Sequence, residues 1–185
     1  MRGDNRDFIE IEDSLDVFLA DDVVIEKMQM INGEINDWEK WLQIELQYYF
    51  QHHPLFQCQR EKQFSLTLPG SAIRRVMSVD LVLKRETTKA IQDIYVELKC
   101  VKRLSTLRRV LQKDYAKLHL LAQHQPMRSF WCIAFYWNYD ESDVAMAPFL
   151  AGYKYAVHKA IDLCGCGDPH CEEARMGYVI IGGKR

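Results

Sequence analysis

The stretch SFWCIAFYW, residues 129–137, does most to limit what this chain can fold into. It is almost unbroken apolar sequence, yet half the ~18–20 residues a membrane span needs. It therefore reads as a strand buried inside a sheet, and the segments around it supply the rest of that sheet. FSLTLPG (64–70) reads as a strand ending in a turn, and VMSVDLVL (76–83) as a second strand. KRETTKA looks like a hairpin turn into a third strand, IQDIYVELKC. Helical spacing precedes and follows them. Asn36 or Asp37 can start a helix that Pro54 ends, with Trp38, Trp41, Leu42, Glu45, Tyr48 and Tyr49 on one stripe. STLRRVLQKDYAKLHLLAQHQP is a helix with Leu107, Val110 or Leu111, Leu118 and Leu121 at apolar positions and Pro126 at its end. APFLAGYKYAVHKAIDL reads as a further helix and GYVIIGG as a last short strand.

The expected order is helix, three strands, helix, strand, within an α/β (α+β) fold whose central mixed sheet is flanked by helices. Three parts follow: an acidic helical segment at 1–33, a core at 34–140, and 141–185, a helix, a Cys-rich loop and a short strand packed on the core. At 185 residues, 48% hydrophobic and 27% charged, the chain has the size and composition of one soluble domain. The acidic opening MRGDNRDFIEIEDSLD has no apolar stretch like a signal peptide's, so the expected location is the cytoplasm. In that compartment six cysteines are reduced thiols or metal ligands rather than disulfides.

The net charge of −2 hides two unlike regions. Residues 1–50 carry 13 acids against 4 bases, whereas residues 74–117 carry 12 bases against 5 acids. Arg74, Arg75, Lys102, Arg103, Arg108 and Arg109 belong to the basic region and are candidates for holding phosphates. Solvated faces produce the same imbalance, so charge alone does not name a partner.

In IYVELKC, alternation sends Val96, Leu98 and Cys100 to one face and Tyr95, Glu97 and Lys99 to the other. On the neighbouring strand Val79, Leu81 and Leu83 share a face, and Ser78, Asp80 and Val82 the opposite one. Asp80 and Glu97 can thus converge beside Lys99. Converging carboxylates raise one another's pKa unless a cation intervenes, and a hard divalent ion suits oxygen ligands. Glu45, on an apolar helical face, is costly to bury unpaired and is expected to reach the same cation, with Glu39 as the alternative helical ligand. The plainer readings are a cross-strand ion-pair face for Glu97 and Lys99, and a bond from Glu45 to a buried Tyr or Trp.

SVDLVL, a turn and strand, then VELK resembles the PD-(D/E)XK nuclease superfamily over residues 35–137, including the helix–three strands–helix–strand order. The resemblance implies a restriction-endonuclease-like core and a nuclease that uses Mg²⁺ or Mn²⁺ to hydrolyse phosphodiester bonds in nucleic acid, DNA in particular. It implies Asp80 and Glu97 as metal ligands, Lys99 as the catalytic lysine and Glu45 as the acid from the first core helix. Asp114 and Lys117, in KDYAKL, match the following helix as supporting residues, or are only a helical pair three apart. Ser78-Val79 stands where the family's name has its proline. Relatives include dimers, so a homodimer is open. The rival reading is a catalytically inactive nuclease-fold module that binds nucleic acid or a protein, with the acidic N-terminal segment imitating nucleic acid, covering the basic face or engaging a partner.

CGCGDPHC offers Cys164, Cys166, His170 and Cys171 as soft donors. They suit a structural Zn²⁺ that staples the C-terminal part, or they are ordinary loop thiols.

Overall fold

The computed structural model describes residues 3–31, 38–67, 74–85, 93–137, 139, 145–164 and 175–183. Among them the elements run α1 (Gly3–Leu19), α2 (Asp22–Ile31), α3 (Glu39–Gln51), β1 (Phe56–Thr67), β2 (Arg74–Arg85), β3 (Asp93–Val101), α4 (Leu104–His124), β4 (Ser129–Trp137), α5 (Met146–Leu150), β5 (Tyr155–Asp162) and β6 (Arg175–Gly182). The six strands form one mixed sheet in the order β1-β2-β3-β4-β6-β5. Only β3 and β4 are parallel, and α4 makes the crossover that such a pair needs. No helix among the described residues is long and apolar enough to cross a membrane.

Strand β4 explains the layering. Its Trp131, Ile133 and Phe135 enter one core with residues of α1, α2 and α3, while Phe130, Cys132, Ala134 and Tyr136 enter a second core under α4. A strand covered on both faces has no polar side to show, and hence its continuous apolar sequence. Helix α3 buries Trp38, Leu42, Leu46 and Phe50 in the first core, a ladder of four-residue steps. That ladder, and not the stripe through Glu45 and Tyr48, is the buried face: Tyr48 is exposed.

The C-terminal region departs from expectation. Among its described residues only Met146–Leu150 is helical, and residues 155–162, read as helix from the sequence, form edge strand β5. Strand β6 then returns between β4 and β5 and pairs with both, so this region completes the sheet. Pairing with β6 outweighs a weak helical preference.

The acidic N-terminal helix is bound by its charges. Asp7 is fully buried and accepts bonds from Arg128 Nε at 2.8 Å, Ser129 Oγ at 2.8 Å and Arg85 Nε at 3.2 Å. Arg85 also pairs with Glu10, and Lys159 with Glu12 and Asp16. These contacts tie α1 to the end of β2, the start of β4 and strand β5. None of its partners is among the six arginines and lysines expected to meet phosphate. Asp7→Ala would leave the buried Arg85 and the half-buried Arg128 without their shared carboxylate, so we expect a loss of about 3–5 kcal/mol. Urea unfolding of the variant against the parent measures it, and a change below about 1 kcal/mol would show that α1 docks by its apolar face alone.

Candidate functional site

The alternation of β2 breaks at Asp80. Leu81 and Leu83 face the first core, but Val79 joins Val82 in the second, contrary to the face expected for it. The neighbouring ladders show why. Pairing of β2 with β3 covers Leu81–Lys84 and Asp93–Val96 and stops there. Pairing with β1 passes from Arg60↔Leu81 to Lys62↔Val79, omitting Glu61, which sits at φ 55° in the left-handed region. At the level of Asp80 the sheet is thus distorted, and β2 and β3 fork apart.

A fork leaves backbone amides without the partners a ladder would give them. On β3 these are the N–H groups of Leu98 and Cys100, and two carboxylates accept from them. Asp80 Oδ2 takes the Leu98 amide at 2.8 Å, and Glu39 Oε2, from the start of α3, takes that of Cys100 at 3.1 Å. Glu39 Oε1 meets Lys99 Nζ at 2.8 Å. On the α4 side, Glu97 is buried and its Oε1 meets Lys117 Nζ at 2.6 Å. Asp114, also buried, lies one turn before Lys117 on α4.

The structure thus gathers Asp80, Glu97, Lys99, Asp114 and Lys117 and adds Glu39 in place of Glu45. Glu45 lies six residues along α3, about 9 Å and two-thirds of a revolution from Glu39. Its Oε1 accepts from Lys27 Nζ at 2.7 Å and Trp41 Nε1 at 3.1 Å. It lines an apolar cavity of about 470 Å³ with Phe18, Val24 and Tyr49, whose walls share no residue with the acid cluster. The four-residue ladder from Trp38 was the signal that Glu39, beside it, and not Glu45 enters the fork.

Arg74 and Arg75 are exposed at the start of β2, and Lys102 and Arg103 just past β3, with Arg108 and Arg109 early in α4. Antiparallel β2 and β3 bring all six to the end of the sheet onto which the fork opens. Cys164 follows β5, its amide bonded to Asp162 Oδ1 at 3.1 Å, while Cys166, His170 and Cys171 lie outside the described residues.

Four carboxylates and two ammonium groups leave the cluster at −2 when all are ionised, and burial makes that charge expensive. Glu97 carries the strain. Burial first, and then the charge of Asp80, push its carboxyl up to about 8, against the pull of Lys117. Burial likewise raises Asp114, opposed by Lys99 and Lys117. Burial alone would lower Lys99, but its bond to Glu39 and the nearby acids hold it above its ordinary value, so it is an ammonium at neutral pH. Hard oxygen donors short of two positive charges are of the kind that suits a divalent cation, and Asp80 and Glu97 are the two that could hold one. As the side chains stand, no three acidic, histidine or cysteine groups among the described residues are gathered in ligating range, and the lysines supply the counter-charge. No family model, curated protein or solved structure matches the chain.

Two outcomes follow from this geometry. Asp80→Asn keeps an acceptor for the Leu98 amide and Asp80→Ala does not, so the alanine variant should be less stable than the asparagine one by about 1–3 kcal/mol in denaturant titrations. Equal stabilities would remove the amide cap from the account of the fork. Second, unfolded Glu97 loses its proton near its ordinary 4.5 and the folded group near 8. Between those values the folded state holds the extra proton, so stability of the metal-free protein falls as pH rises across that window. Glu97→Gln should flatten this part of the melting-temperature profile, and an unchanged slope would locate the titration elsewhere.

Proposed function

We propose that this chain is a divergent PD-(D/E)XK nuclease with a restriction-endonuclease-like core, hydrolysing phosphodiester bonds in DNA with Mg²⁺ or Mn²⁺. The observation that carries this reading is the forked pair of strands, which sets Asp80 and Glu97 side by side with Lys99 two residues along. The helix–three strands–helix–strand order around the fork supports it. Asp80 and Glu97 would hold the cation, which supplies Lewis acidity toward a phosphoryl oxygen. Lys99, kept protonated, is suited to orient the attacking water or to stabilise charge developing on the phosphate rather than to serve as a resting base. Glu39 positions Lys99 through their 2.8 Å contact. The basic residues at the open end of the fork would grip the backbone, with binding that weakens as salt rises.

The test is cleavage of supercoiled, linear and single-stranded DNA by the purified chain with Mg²⁺ or Mn²⁺. Asp80→Asn and Lys99→Ala should each lower the rate by about 100-fold or more while leaving the circular dichroism spectrum intact. A chain that cuts no form of DNA with either metal would overturn the hydrolytic reading.

One observation favours a second reading. Asp80 and Glu39 each satisfy a backbone amide, and both lysines already neutralise an acid, so the cluster has a structural use without turnover. A nuclease-fold binding module would then retain DNA affinity in Asp80→Asn and show no metal-dependent cleavage in the parent.

A further inference from the structure

Two features of α4 have no task in the hydrolytic scheme. Lys117 holds Glu97 at 2.6 Å, a pair in which the glutamate side chain is only 4% exposed. Asp114, 8% exposed, makes no hydrogen bond or ion pair among the described residues. Its oxygens keep some contact with solvent, but a carboxylate so thinly hydrated still gains from a cation arriving beside it. Asp114 and Lys117 are three apart on one helix, where Cβ atoms stand about 5–6 Å apart. The lysine's flexible four-carbon stem can reach either acid without any movement of the backbone.

Resting on the metal-dependent reading above, we propose that Lys117 is a place-holding cation: it neutralises Glu97 in the metal-free protein and swings to Asp114 when a divalent cation binds Glu97. The exchange closes the charge balance locally. Before it, Glu97 is paired while Asp80 and Asp114 are not. After it, the divalent cation serves Asp80 and Glu97, Lys117 serves Asp114 and Lys99 serves Glu39. Every buried charge then belongs to a neutral group. Any proton on Glu97 leaves to solvent as the cation binds, and one ammonium changes carboxylates. Metal affinity is consequently set by competition with an internal lysine, and Asp114 tunes it without touching the metal.

The test is Mn²⁺ binding, followed by calorimetry, to the full chain and to Lys117→Met, Asp114→Asn and the double variant. We expect Lys117→Met to bind about tenfold more tightly and Asp114→Asn about tenfold more weakly, with the Asp114 effect shrinking to within about twofold once Lys117 is gone. The same weakening in both backgrounds would show simple charge attraction and overturn the exchange, as would a Lys117→Met variant that binds no more tightly. A crystal structure of the parent with Mn²⁺ gives an independent reading. Lys117 Nζ within hydrogen-bond distance of Asp114 supports the exchange, and Nζ still on Glu97 beside the metal overturns it. Absence of Mn²⁺ binding by the parent would overturn both this inference and the metal-dependent reading. Coupled Mn²⁺ binding without DNA cleavage would support the exchange and sink only the hydrolysis.

Discussion

When two antiparallel strands part inside a folded protein, the amides that faced the gap still require acceptors. In this chain β2 and β3 stop pairing after Leu81 and Val96, and the next inward-facing amides of β3 belong to Leu98 and Cys100. Asp80 and Glu39 accept from them, one from the strand that has turned away and one from the first turn of α3. The constraint is reciprocal. The fork exists only because carboxylates close it, and the carboxylates are held at short range because the fork needs them. Glu97 is fixed on the α4 side by the pleat of β3, and the sheet distortion at Asp80 and Glu61 is the local cost of the arrangement.

The charge asymmetry between the two parts of the chain has a spatial counterpart. At one end of the sheet, where β2 ends and β4 begins, the acids of α1 are absorbed by Arg85 and Arg128, with Asp7 at the centre. That end is an anchor. At the other, β2 begins, β3 ends and α4 starts, and basic side chains surround an acid cluster that remains short of positive charge. Several acids of the N-terminal region thus belong to packing, while six of the twelve bases of the middle region belong to the open end. The overall net charge of −2 averages two populations with different work.

Burial sorts the ionisable groups of the fork by the form they hold. Lys99, beside Glu39, is kept charged, whereas Glu97, pressed by burial and then by Asp80, has its carboxyl pushed up to about 8. Both groups are shifted upward, which holds one charged and the other neutral, and the difference arises from placement alone.

Periodicity in the chain was enough to order the elements from α3 to β4, to identify 129–137 as interior strand, and to set Asp80, Glu97 and Lys99 on adjacent strands. These are local properties, written in spacings of two and of three to four residues. Tertiary structure alone decided the rest. It chose Glu39 over Glu45, because the rotation of α3 is set by Trp38, Leu42, Leu46 and Phe50 packing on a sheet distant in sequence. It moved Val79 to the other core, because a fork between strands breaks an alternation that a single strand cannot show to be broken. It made 155–162 a strand, because β6, arriving later, offered a ladder that outweighed helical preference. And it gave Lys117 to Glu97 rather than to its own helix neighbour, since which acid a lysine meets depends on the element packed across from it.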